Sequence, residues 1–132
     1  MEILVVSSEL TVDATFEKVA KKRGYGFEAV TTGADALRIS RKKPIDVVLL
    51  DTSVPDMKGY ELIAEIKKKL PQSKIIVIVG YNLNELESAE HDEKIDYYLI
   101  KPLDESYLEN IINHISNKLN SDSRSIRSKV VS

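Results

Sequence analysis

An aspartate closes one of the most apolar stretches of the chain. The run is Ile45-Asp46-Val47-Val48-Leu49-Leu50-Asp51, and a turn-rich segment follows, Thr52-Ser53-Val54-Pro55-Asp56-Met57-Lys58-Gly59. A carboxylate at the carboxyl end of a buried parallel strand lies where open α/β sheets gather their ligands. A lysine, Lys101, directly follows another strand-like run, Tyr97 to Ile100, and precedes Pro102. If both runs are parallel strands of one sheet, Asp51 and Lys101 reach the same rim and are neighbours in space. Ser7-Ser8 and Val79-Gly80 end two further apolar runs and should reach that rim too. Pro55 and Gly59 shape the loop over Asp51, and Pro102 restricts the backbone at Lys101.

The elements that must position these groups are legible from periodicity. Ile3 to Val6, Val47 to Leu50 and Ile75 to Val79 are short, β-rich runs without a polar face, as strands buried on both faces require. Tyr25 to Thr31 is shorter and more polar, as suits an edge. Helical spacing is expected over 10–23 with Gly24 as its stop, over 33–43 before Pro44, and over 59–70 before Pro71. A weaker, acidic helix is expected over 82–93. The last helix should start behind Asp104 as N-cap, with Leu108, Ile111, Ile112, Ile115 and Leu119 on one stripe. Five strands alternating with five helices predict an α/β fold: a doubly wound, five-stranded parallel sheet with helices on both faces.

Composition narrows the function classes. The 132 residues suit one domain, able to bury roughly two-thirds of its unfolded surface. There is no cysteine, which removes disulfides, thiolate metal sites and cysteine catalysis. Net charge is −2, so no general drive toward nucleic acid exists. Basic triplets close the first three helices at 21–23, 41–43 and 67–69, where they offset helix dipoles. Glu9, Asp13, Asp51 and Asp56 fall on the opposite rim. No apolar run reaches membrane-spanning length, and Met1-Glu2-Ile3 runs straight into a strand; a cytoplasmic location is expected.

Taken together and in order, Asp51, Pro55, Gly59, Tyr98 and Lys101-Pro102 resemble the receiver domain of response regulators, the phosphoacceptor half of two-component signalling. The resemblance covers about residues 2 to 119 and is nearest to chemotaxis-regulator-like receivers. It implies a flavodoxin-like strand order 2-1-3-4-5, with Asp51 as the phosphoacceptor for a histidine kinase or another signalling protein. It implies no enzyme beyond acceptance of phosphate on Asp51 and autodephosphorylation. Family members bind Mg²⁺ through two acids after the first strand, the acceptor, and a backbone carbonyl two residues past it. Here those positions are Ser7, Ser8, Asp51 and Ser53. Mg²⁺ wants hard, anionic oxygen, so a weak or absent metal site is expected at Asp51, Ser53 and Ser8. The switch positions of the family fall on Val79 and Tyr98, and Val79 lacks the hydroxyl. Lys101, the phosphate contact of the family, is expected to pair with Asp51 instead.

The expected function is therefore a receiver with weakened or lost Mg²⁺-dependent phosphorylation. One alternative is a pseudo-receiver, a protein-interaction module independent of phosphate. A remote one is a flavodoxin-like cofactor binder, disfavoured because Ser7 to Thr11 contains no glycine for close approach to phosphate. Ser7 and Ser8 are otherwise read as caps of the first helix. Glu9 is not counted as a substitute ligand. Expected partners are a kinase and an effector domain or second copy docking through 82–119, with no nucleic acid and no membrane. Residues 1–119 are taken as the domain, and the Ser-rich 120–132 as a flexible tail or the start of a linker.

Overall fold

A computed structural model describes residues 1–51, 56, 59–80 and 94–131; the side chains of 10, 11, 59, 60 and 120–131 lie outside that set. The elements are β1 (Glu2–Val6), α1 (Leu10–Arg23), β2 (Gly26–Val30), α2 (Gly33–Lys42), β3 (Val47–Asp51), α3 (Gly59–Lys69), β4 (Lys74–Val79), β5 (Tyr97–Ile100) and α4 (Glu105–Val131). The expected helix over 82–93, with His91, falls outside the described residues.

The five strands form one parallel sheet in the order β2-β1-β3-β4-β5. Strand alternation sends successive side chains to opposite faces, and the core divides accordingly. Leu4, Val6, Val48, Leu50, Ile75, Val77 and Val79 pack with α2 and α3 residues such as Ala36, Ile39, Leu62 and Ile66. Ile3, Val5, Val47, Leu49, Ile76, Ile78 and Leu99 pack with α1 and α4 through Phe16, Val19, Leu108 and Ile112. This is the doubly wound α/β arrangement expected from the runs.

Helix ends follow local chemistry. Gly24 stops α1 in the left-handed region at φ 72°, where its N–H donates to the Ala20 and Lys21 carbonyls. Thr32 caps α2 by accepting from the Asp35 N–H at 3.2 Å, and Asp104 caps α4 by accepting from the Tyr107 N–H at 3.2 Å. The basic ends of α1, α2 and α3 lie where expected. Those of α1 also bind across to α4, since Lys22 and Arg23 both reach Glu109, at 3.2 and 2.9 Å. The backbone of α4 continues helically over 120–131, the stretch read from sequence as a flexible tail. No glycine or proline occurs after Pro102, so nothing in the chain breaks the helix where its apolar stripe ends.

Candidate functional site at the carboxyl rim of the sheet

Register and pleat assemble the site. Val6 pairs with Leu50, which sets Ser7 level with Asp51 on the neighbouring strand. Asp51 pairs with Ile78, and Val79 with Ile100, so Lys101 emerges one residue beyond the end of β5. Ser7 continues the phase of Ile3 and Val5, Asp51 that of Val47 and Leu49, and Lys101 that of Leu99. All three therefore point to the face covered by α1 and α4, and they meet.

Asp51 is fully buried. Its Oδ2 accepts from the Ser7 hydroxyl at 3.0 Å and lies 3.1 Å from the Lys101 ammonium. The expected Asp51–Lys101 ion pair is thus present. Lys101 has a second and nearer anion, Glu9 Oε1 at 2.7 Å. The pairing expected of Lys101 with Asp51 is thus shared with Glu9, a residue given no role from sequence. The cause is local: Glu9 is the N-cap of α1, with extended dihedrals (φ −102°, ψ 121°), and its side chain makes no capping bond. It is left to lie across the rim toward the lysine.

The reading of Ser7 as a helix cap is corrected too. The Ser7 hydroxyl accepts from the Glu9 N–H at 3.0 Å while donating to Asp51. It tethers the start of α1 to β3. Ser8 is exposed. The Ser7 hydroxyl and the Lys101 ammonium thus each contact both Asp51 and Glu9.

Burial pushes the Lys101 ammonium down, but the Glu9 and Asp51 carboxylates outweigh it, and the net shift is upward. Asp13, one turn along α1, is raised from the ordinary carboxylate range, by burial first and then by the Asp51 and Glu17 charges. Its Oδ1 is buried and accepts no hydrogen bond. Sequence reasoning placed Glu9 and Asp13 on this rim but gave neither a role; their i, i+4 spacing at the start of a helix facing Asp51 was the available signal.

Asp56, between β3 and α3 in the chain, reaches the amino end of α2. Its carboxylate accepts from the Gly33 N–H at 2.7 Å and the Ala34 N–H at 3.1 Å, at the amino end of α2. These two amides hold the Asp56 carboxyl below its usual range. This contact was not foreseen. Ser53 and Pro55 lie outside the described residues, and Gly59 is the first residue of α3.

Val79 is fully buried in the α2–α3 core cluster, in phase with Val77 and on the face opposite Asp51. Tyr98 is 41% exposed on the outer side of β5, close to exposed Ile100 and Tyr107. They border an open hollow of about 280 Å³ with Pro102 and Leu103. The Lys101–Pro102 peptide is cis. His114 stacks edge-on against Tyr97, with centroids 6.5 Å apart.

Mg²⁺ needs several hard anionic oxygens in one array. Among the described residues no group of three acidic or imidazole side chains is placed to hold a metal ion. Oδ2 of Asp51 is engaged by an ammonium and a hydroxyl. The described donor set does not fit a Mg²⁺ site of the family's kind.

Comparison with known proteins agrees with the geometry. The family model described as "Response regulator receiver domain" matches residues 3–113. The transcriptional regulatory protein ZraR of Klebsiella oxytoca is 30% identical over 105 residues, which is 79% of this chain and 24% of that protein. An uncharacterized transcriptional regulatory protein of Bacillus subtilis, YbdJ, is 29% identical over 103 residues, 77% of this chain and 44% of that protein. The crystal structure of a response regulator receiver domain protein from Clostridium thermocellum superposes with a TM-score of 0.76 at 26% identity, covering 90% of this chain and 96% of that one. A CheY-like receiver domain from Methylobacillus flagellatus gives 0.73 at 30% identity, over 87% and 98%. This chain belongs to the response regulator receiver family, the phosphoacceptor module of two-component signalling. It spans about a quarter to a half of the length of the curated relatives it matches.

Proposed function

We propose that Asp51 is the phosphoacceptor of this receiver and that its reaction with phosphoryl donors is slow and only weakly dependent on Mg²⁺. The observation behind this reading is the Asp51 carboxylate at the end of β3, 3.1 Å from the Lys101 ammonium and 3.0 Å from the Ser7 hydroxyl. Phosphoryl transfer requires positioning and neutralisation of charge more than covalent help from the protein. Lys101 supplies one positive charge and Ser7 one donor. Carboxylates that would recruit a divalent ion after β1 are replaced by Ser7 and Ser8. Val79, buried on the far face of the sheet, has no hydroxyl to offer a phosphoryl group, so the coupling to Tyr98 is weak.

The donor is a histidine kinase or another phosphorylated signalling protein, and Asp51 returns to the carboxylate by hydrolysis. Residues 1–119 act as the receiver unit, with 120–132 leading toward an effector. The longer transcriptional regulators among its relatives support an output through such a domain, or through a second copy, on the surface formed within 82–119. In that arrangement any contact with DNA belongs to the effector. Among the described residues no helix is long and apolar enough to cross a membrane, and the cytoplasm is the compartment that suits such a module.

The test is incubation with a small acyl phosphate, with and without Mg²⁺, followed by intact mass. An adduct lost in Asp51→Asn, with less than tenfold acceleration by Mg²⁺, supports the reading. No Asp51-dependent adduct under any condition refutes it and leaves a phosphate-independent interaction module.

A further inference from the structure

We propose that Glu9 is a positioning residue of the Asp51 site, one that holds the Lys101 ammonium and sets the site against anionic phosphoryl donors. This deepens the phosphoacceptor reading given above and, for the rate effect, rests on it.

Four contacts carry the assignment. Glu9 Oε1 lies 2.7 Å from Lys101 Nζ, nearer than Asp51 Oδ2 at 3.1 Å. The Glu9 N–H donates at 3.0 Å to the Ser7 hydroxyl, which donates in turn to Asp51. Glu9 is thus tied to Asp51 twice, through its backbone by Ser7 and through its side chain by Lys101. The side chain is 44% exposed while Asp51 is 0% exposed. Of the two carboxylates on the lysine, Glu9 is the one that an approaching ligand meets.

In the transfer step an Asp51 oxygen attacks the phosphorus of an acyl phosphate. A new P–O bond forms as the bond to the donor's carboxylate breaks, and that carboxylate leaves with the bonding pair. The phosphoryl oxygens gather negative charge next to Lys101. An ammonium directs its three donors tetrahedrally, so an oxygen sharing it with Glu9 sits about 4.6 Å from the Glu9 carboxylate. Repulsion between unit charges at that distance, even with the screening of bulk water, slows reaction about fivefold. Poorer screening at the half-buried rim enlarges the factor.

The experiment measures the rate of the Asp51-dependent adduct with acetyl phosphate at low ionic strength, in wild type, Glu9→Gln and Glu9→Asp, using Asp51→Asn to subtract other sites. Glu9→Gln should react about fivefold faster or more, mainly through a lower half-saturating donor concentration. The gain should shrink in 0.5 M salt, while Glu9→Asp stays near wild type. A Glu9→Gln rate equal to or below wild type overturns the proposal. A second readout needs no phosphorylation: hydrogen exchange of the ¹⁵N-labelled Lys101 ammonium. It should quicken in Glu9→Gln with the backbone amide spectrum unchanged beyond the rim, and unchanged ammonium exchange overturns the assignment. If no variant forms an adduct, the phosphoacceptor reading falls, and the ammonium measurement alone decides the role of Glu9.

Discussion

Replacing Lys101 by Met removes the ammonium and keeps most of the stem. Asp51 then remains fully buried, with Ser7 still donating. Losing one partner of a buried pair costs about 3–5 kcal/mol when both are sealed from water. The lysine side chain here is 21% exposed, so water reaches part of the site. With that screening and the surviving Ser7 bond, the loss should be about 2–3 kcal/mol. For a domain of this size that lowers the melting midpoint by roughly 6–12 °C. The chain has six tyrosines and no tryptophan, so urea unfolding is followed by circular dichroism with tyrosine emission as a second probe. Asp51→Asn and the double variant complete a cycle, and the coupling between positions 51 and 101 should be about 1.5–3 kcal/mol. If Lys101→Met stays within about 0.5 kcal/mol of wild type, or the two changes add within that margin, the ammonium is not what holds the buried Asp51 charge.

Three further outcomes are expected. Asp13 has its folded pKa raised by burial and by Asp51, so stability falls as pH rises from its unfolded value through its folded value. Asp13→Asn should stabilise the fold at neutral pH, by no more than about 1 kcal/mol after solvent screening, and change nothing below about pH 3.9. Asp56 has its folded pKa lowered by the Gly33 and Ala34 amides, so its contribution is full above the unfolded value and disappears as pH falls through the folded one. Asp56→Asn should lower the midpoint at neutral pH, with the difference closing in acid, and should speed exchange of the Gly33 and Ala34 amides. Ser7→Asp with Ser8→Asp should create Mg²⁺ binding, followed by tyrosine fluorescence. If the two acids leave Mg²⁺ affinity unchanged, the account of the metal site fails.

The sheet and its rim were readable because strand ends are set by hydrophobic runs. Once Val47 to Leu50 and Tyr97 to Ile100 are parallel neighbours but one, Asp51 and Lys101 have little choice but to meet. The same parity placed Val79 away from Asp51, a consequence that residue type alone did not reveal. Glu9 was missed for the opposite reason. Its backbone is the extended residue before a helix, outside both the period of two and the period of 3.6, so no pattern gives its side-chain direction. Ser7 was taken for a cap because serine before a helix usually is one. Register with Leu50 and Asp51 decided otherwise, and register is not written in β1 alone. Asp56 reaches across to α2 through a contact between segments 22 or more residues apart, beyond any local signal.

The two sequence departures at this rim are physically one change. Asp51 and Glu9 carry two negative charges, and Lys101 lies within 2.7 to 3.1 Å of both. Carboxylates at 7 and 8 would add two more beside Asp13, and a single ammonium could not balance them; a divalent cation would then be required to hold Asp51 buried. With serines there, fewer negative charges surround Asp51, and Ser7 supplies a neutral donor where a further carboxylate would repel. Glu9 can turn onto the lysine for the same reason, since no metal ligand stands between them. The stability of the unphosphorylated rim and its resistance to an incoming phosphoryl group then have a common source. Any substitution that frees Lys101 from Glu9 should lower the first and raise reactivity at Asp51, and a variant that raises both would break the link.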